Sequence, residues 1–135
     1  EHNLGNIVIG YNEGWKNDIN IGKVNNQKFV YIPYLTLINQ IKYKAEEVGI
    51  KVETIKESYT SKCDSLALEE VKKQEKYAGK RVKRGLFQSS IGKLVNADVN
   101  GALNILRKVI GNDFIKNLTN KSCVLQPIRI NLMKN

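Results

Sequence analysis

The stretch Asn96-Ala97-Asp98-Val99-Asn100-Gly101-Ala102 runs directly into Leu103-Asn104-Ile105-Leu106-Arg107-Lys108-Val109-Ile110, which sets one carboxylate, Asp98, at the opening of an amphipathic helix. At helical spacing Val99, Ala102, Leu103, Leu106, Val109 and Ile110 form one apolar stripe. Asn100, Asn104, Arg107 and Lys108 fall largely on the other side, and Gly111 is placed as the stop. An acid in a helix's first turn has two uses. It satisfies free N–H groups and complements the dipole, or it shares a cation with a second carboxylate. Which applies depends on the elements that lead to it.

Asn6-Ile7-Val8-Ile9-Gly10 reads as a buried strand, followed by the loop Tyr11 to Lys16. Such a strand edge needs a partner. Residues 17 to 32 are polar until the small apolar segment Phe29-Val30-Tyr31-Ile32. Pro33 suits the first position of a helix that carries Leu37, Ile38, Ile41, Ala45 and Val48 at helical spacing and stops at Gly49. Ile50-Lys51-Val52-Glu53-Thr54-Ile55 is a strand by alternation, so residues 6 to 55 predict strand, crossover helix, strand, parallel and right-handed. Beyond it, Lys56-Glu57-Ser58-Tyr59-Thr60-Ser61-Lys62 is dense in hydroxyls at the carboxyl edge of the sheet, where open parallel sheets bind ligands.

Residues 64 to 93 carry eight Lys or Arg against four Asp or Glu, a net +4. The pattern predicts a helix over Ser65 to Lys76 and then a basic loop or hairpin, Gly79-Lys80-Arg81-Val82-Lys83-Arg84-Gly85, suited either to phosphate contacts or to a solvated surface. Tyr77 and Phe87 flank it, placed to stack on bases or to anchor the loop to the core. Residues 112 to 135 hold the apolar segment Phe114-Ile115-Leu118 and then Val124 to Ile130, an edge strand or irregular tail.

A chain of 135 residues with 41% apolar content can form an ordinary folded domain, and a formal charge of +9 implies an anionic partner, most simply nucleic acid. No apolar run approaches the roughly 20 residues of a membrane span, and no signal-peptide pattern opens the chain, so we expect an intracellular protein with no membrane partner. Cys63 and Cys123 stand 60 positions apart and His2 is the sole histidine, which leaves no metal-ligand spacing and makes structural zinc and a disulfide unexpected.

Taken in order, Ile9-Gly10-Tyr11-Asn12-Glu13-Gly14-Trp15-Lys16, Phe29 to Tyr34, Glu57-Ser58-Tyr59-Thr60-Ser61-Lys62, Gly79 to Phe87 and Asn96 to Ala102 resemble the carboxyl-terminal half of the transposon-encoded TnpB (OrfB) proteins. The resemblance implies an RNA-guided DNA endonuclease with a RuvC-like, RNase H-type fold, related to the type V CRISPR effectors. It also implies three acidic residues that bind Mg2+ or Mn2+ for phosphodiester hydrolysis, a chemistry in which converging carboxylates hold two cations that clamp the attacking and leaving oxygens. Asp98 matches the third acid. The second is Glu57, with Glu13 as the alternative, because many relatives carry a Glu where this chain has Gly10 and Tyr11. The first, in an Asp-x-Gly setting on an early strand, has no counterpart. The family often holds two Cys-x-x-Cys pairs of a zinc ribbon between the Ser-Lys block and the last motif. This chain keeps Cys63 alone there, so the insertion at 64 to 93 is expected to hold itself by packing, without zinc.

The expectation is therefore an α/β chain: residues 1–110 as the carboxyl-terminal part of an RNase H-like nuclease domain lacking its amino-terminal strands, with a basic insertion at 64–93, and a tail at 111–135. Asp98 and Glu57 are the expected metal ligands, and Lys62, Lys80, Arg81, Lys83, Arg84 and Arg107 the expected contacts to DNA or guide RNA. The missing half is expected as a separate chain or an absent fragment, which leaves the isolated chain a weak or inactive nuclease in a prokaryotic cytoplasm, near the nucleoid. The alternatives are a non-catalytic nucleic-acid-binding module and an oligomer that pairs its own exposed edges.

Overall fold

The computed structural model describes residues 4–12 and 34–118, which divide into two compact units, one ending at Glu57 and one beginning at Ser58. Glu13, the segment Phe29 to Pro33, Cys123 and Val124 to Ile130 lie outside the described residues. The mixed α/β class expected from the sequence holds, and among the described residues no helix is long and apolar enough to cross a membrane.

The first unit is the predicted strand, helix, strand. Strand β1 (Asn6–Tyr11) pairs in parallel with β2 (Lys51–Lys56), in a register that runs from Asn6 opposite Lys51 to Tyr11 opposite Lys56. Between them helix α1 (Tyr34–Glu47) packs on β2. Its end is built by Gly49 at φ +73°, whose N–H reaches the Glu46 carbonyl at 3.0 Å while that of Ile50 reaches Ala45 at 2.8 Å. This is the reciprocal pair that closes a helix on a left-handed residue. The covered stripe is narrower than the periodicity indicates. Ile38 and Ala45 are buried and Tyr34 and Ile41 half-buried, whereas Leu37 and Val48 face solvent. Those four covered positions span only about a sixth of the helix circumference at ~100° per residue. Strand β1, expected to be buried, is half-buried along most of its length.

The second unit contains a three-stranded antiparallel sheet, β3 (Lys80–Lys83), β4 (Leu86–Gln88) and β5 (Leu94–Asn96), in that order. Helix α2 (Ala97–Ile110) follows β5 directly, and a short α3 (Asp113–Leu118) returns to the same core. That core is Leu66, Phe87, Val95, Ala97, Leu103 and Ile115, flanked by Leu68, Val99, Phe114 and Leu118. Phe87 is therefore a core anchor rather than a base-stacking side chain. The apolar segment Phe114-Ile115-Leu118, placed in the tail by the sequence, forms α3 and seats Ile115 in the core.

The helix expected over Ser65 to Lys76 does not form, and the chain there is a series of turns. Asp64 starts a helix-like turn, its Oδ1 accepting from the N–H groups of Leu66 and Ala67 at 3.2 Å each. Leu68 then adopts φ +58°, which a continuing helix of L-residues cannot absorb. The Glu69 carboxylate accepts from Asp64 N–H at 2.7 Å and from Ala78 N–H at 2.9 Å, folding the segment back on itself.

The basic segment between Gly79 and Gly85 does form a hairpin, and its first glycine is dictated by the core. A Cβ at position 79 would lie 2.6 Å from Phe87 Cζ and 2.9 Å from the Gln88 carbonyl oxygen. Gly79→Ala is expected to destabilise the chain by about 1–3 kcal/mol through overpacking, read as a lower denaturation midpoint at unchanged slope. A variant as stable as the wild type would contradict this packing.

Candidate functional site

Asp98 reaches its position through three steps of local structure. Strand β5 ends in Asn96, whose backbone stays extended at ψ 134° and whose Oδ1 accepts from the N–H groups of Asp98 at 2.8 Å and Val99 at 3.2 Å. Asn96 is thus the helix cap, a role that Asn fills as well as Asp. Asp98 sits one turn-position inside, exposed, and among the described residues no donor or cation engages its carboxylate. The capping role open to Asp98 in the sequence belongs to Asn96. What remains to the acid is the favourable field of the helix start.

The opposite side of α2 departs from the expected pattern. Its most deeply covered positions are Ala97, Asn100, Leu103, Asn104 and Arg107, while Ala102 and Ile110, assigned to the buried stripe, are exposed. The two asparagines are fully buried and Arg107 is 7% exposed. Asn100 donates from Nδ2 to the Cys63 carbonyl at 2.9 Å and accepts at Oδ1 from Ser65 N–H at 3.0 Å. Asn104 donates to the carbonyls of Thr60 at 2.8 Å and Cys63 at 2.7 Å. Arg107 donates from Nη1 to Asn104 Oδ1 at 2.7 Å, from Nε to Asn112 Oδ1 at 2.7 Å and from Nη2 to the Glu69 carbonyl at 2.9 Å. Burial pulls this guanidinium below its ordinary range, opposed by the negative field of Asp64 and Glu69. Arg107, expected among the nucleic-acid contacts, is an internal fastener of loop 58–70 to α2. On a helical wheel Asp98 lies roughly 160° from the centre of this buried arc.

The remaining expected cations are exposed. Lys80, Arg81 and Lys83 stand on β3, an outer strand open on both faces, and Arg84 in the turn beyond it. Among the described residues no carboxylate pairs with any of the four. Arg81 opposes Phe87 and Lys83 opposes Leu86, so Val82 is an inserted residue, a bulge that breaks the alternation. Partners directly opposite share a face, which puts Lys80 and Lys83 together on the face of Gln88 and Leu86, away from the Phe87 side. Leu86 in turn opposes Asn96. Lys83, Leu86 and Asn96 therefore lie in one row across the sheet, with Lys83 and Asn96 about 10 Å apart by strand spacing, and Asp98 two residues further on. Lys62 stands apart from this row, its Nζ 5.9 Å from the Tyr77 ring centroid, a cation over an aromatic face.

Glu57 belongs to the other unit. It follows β2 immediately, is half-buried, and extends the strand ladder through its N–H to the Tyr11 carbonyl at 3.1 Å. As a metal ligand Asp98 fits: an exposed, hard oxygen donor with its lone pairs available. Among the described residues, however, no three Asp, Glu, His or Cys side chains gather as a ready cation site. Among the described residues no second Cys or His stands with Cys63 to form a zinc ligand set. That thiol is fully buried, burial pushes its pKa up, and its S–H points to the Lys72 carbonyl at 3.5 Å.

This fold and arrangement define a small α/β unit in which a basic hairpin and a helix-borne acid share one end of a sheet. Residues 34–105 match the family described as Cas12f1-like, TNB domain, and since that is more than half of the chain, the protein belongs to this family. It is also similar to the TnpB-like protein ORF457 of Acidianus two-tailed virus, 39% identical over 79 residues, or 58% of this chain. The aligned stretch covers 16% of that relative's length.

Sequence reasoning missed Asp64, Asn100 and Asn104 as structural residues. The signal for the last two was present as amides spaced four apart with Arg107 one turn on, but polar residues on a helix ordinarily face water. Asn104→Ala is expected to destabilise the chain by about 2–4 kcal/mol, since it removes the hydrogen bonds to the Thr60 and Cys63 carbonyls and leaves one Arg107 donor without its acceptor. Arg107→Ala combined with it should cost much less than the sum of the singles in a double-mutant cycle. Additive losses would show that the three groups do not act together.

Proposed function

We propose that the chain is the carboxyl-terminal portion of a metal-dependent, RNA-guided DNA endonuclease of the TnpB type. In this reading Asp98 is a ligand of a divalent cation, Mg2+ or Mn2+, and Lys80, Arg81, Lys83 and Arg84 contact the phosphate backbone of DNA or guide RNA. The family match and the viral TnpB-like relative support the class. The observation that carries it further is the row Lys83, Leu86, Asn96, which aligns the end of the cationic hairpin with the uncapped carboxylate of Asp98. A bound divalent cation would supply the polarisation of the scissile phosphate and the activation of water. This chain's part is to hold the backbone and offer carboxylate oxygens as ligands. Glu57, at the carboxyl end of β2, is the second acid in this reading, with Glu13 as its alternative.

Mn2+ is expected to broaden the backbone amide resonances of Asn96 to Val99 in the 15N-labelled chain, and Asp98→Asn to abolish that broadening at unchanged stability. Broadening that survives the substitution would remove Asp98 from the metal site. Glu57→Gln and Glu13→Gln, assayed in the same way, separate the two candidates for the second acid. Lys83→Ala with Arg84→Ala should weaken binding to DNA or RNA irrespective of sequence. It should also lower the slope of log affinity against log salt by about 1.4–1.8 for the pair, at about 0.7–0.9 per lost contact. An unchanged salt slope would exclude the hairpin from the interface. Binding that follows the hairpin cations but ignores Mn2+ and Asp98 would leave a non-catalytic binding module.

A further inference from the structure

We infer that the Asp64 carboxylate does in this chain what a structural metal does in a zinc-stapled domain: it ties the loop after β2 to the turn between β4 and β5 and so fixes the strand that leads into α2. The second unit has few regular elements to hold these segments. From Ser58 to Gly79 it has no helix or strand, and β4 and β5 are three residues each. A small, loop-rich unit of this kind needs a cross-link. The place for one is occupied. Asp64 is fully buried, and its two oxygens accept from five donors in two segments 25 residues apart. On its own side these are the N–H groups of Leu66 and Ala67 at 3.2 Å. Across the gap they are the Ser89 hydroxyl at 2.8 Å to both oxygens, the Ser90 N–H at 2.7 Å and the Ser90 hydroxyl at 3.0 Å. A carboxylate with this many charge-assisted donors is a fixed node in the way a tetrahedral ion is.

The flanking residues extend the node to α2. Cys63 and Ser65, on either side of Asp64, are both bonded to Asn100, two residues on from Asp98 in α2. On the other side of the node, Ser89 begins the turn to β5, its N–H donating to the Lys93 carbonyl at 2.9 Å. The carboxylate thus pins both approaches to the helix that bears Asp98. Ser65 provides an internal contrast. Its hydroxyl is as buried as that of Ser89 but has no hydrogen-bond partner.

The test uses the full chain and reads folding, so it stands whether or not the chain belongs to a nuclease. Thermal unfolding is measured before and after exhaustive dialysis against a zinc chelator, with metal content determined alongside. The expected result is an unchanged Tm and far less than one zinc per chain. Ser89→Ala with Ser90→Ala should lower Tm by ~5 °C or more, and Asp64→Asn by more still. Ser65→Ala should leave Tm unchanged or raise it. If Asp64→Asn does not fold, the serine variants and native-state exchange of the Leu66, Ala67 and Ser90 amides carry the comparison. Stoichiometric zinc, a Tm that falls on chelation, or Ser89→Ala/Ser90→Ala behaving like Ser65→Ala would each overturn the inference.

Discussion

The second unit depends on one constraint: the carbonyl groups of an irregular segment must find donors when that segment is buried. Residues 58–79 form no helix or strand that could satisfy them internally. Helix α2 does so from outside, with Asn100, Asn104 and Arg107 reaching the carbonyls of Cys63, Thr60 and Glu69. Amide and guanidinium donors suit this because each holds several N–H groups in a fixed plane. Arg107 also fixes Asn104, whose Oδ1 it occupies, so that the amide's orientation is set rather than free to flip. The cost is a buried charge. Three hydrogen bonds and the nearby negative field of Asp64 and Glu69 offset it.

That constraint also explains which features the sequence revealed. The strand, helix, strand of the first unit was legible because branched runs, helical spacing and Gly49 agree with one another. The bounds of α2 were legible for the same reason, from Asn96 to Gly111. Its orientation was not. Apolar periodicity assigns Ala102 and Ile110 inward, but the core of this unit is small, and the demand of an unstructured loop outweighs the gain from burying two more aliphatic side chains. The turn-rich course of Ser65 to Lys76 was hidden for a related reason. Its helix-compatible residues are overridden by contacts 25 to 40 positions distant, which no local window contains. Strand β5 is three residues long, too short for alternation to register.

The cations of the hairpin have a second physical explanation. Charged residues on an outer strand prevent edge-to-edge association, and Lys80 and Lys83 on β3 serve that purpose wherever the ladder is exposed. Edge protection does not account for Arg84, which lies in the turn beyond the last ladder pair. Nor does it account for four cations without an ion-pair partner among the described residues, where one or two would suffice. The bulge at Val82 gathers Lys80 and Lys83 on one face, concentrating positive potential where a polyanion can meet both.

The division of labour between Asn96 and Asp98 bears on the same end of the sheet. An aspartate at the cap would have its oxygens consumed by the first-turn N–H groups. With Asn96 in that place, the free N–H groups of Asp98 and Val99 are satisfied by a neutral amide oxygen. The charge then sits on the second residue of the helix, where the dipole still stabilises it by about 0.3–1 kcal/mol without a hydrogen bond. The arrangement leaves the carboxylate's lone pairs clear of the first-turn N–H groups.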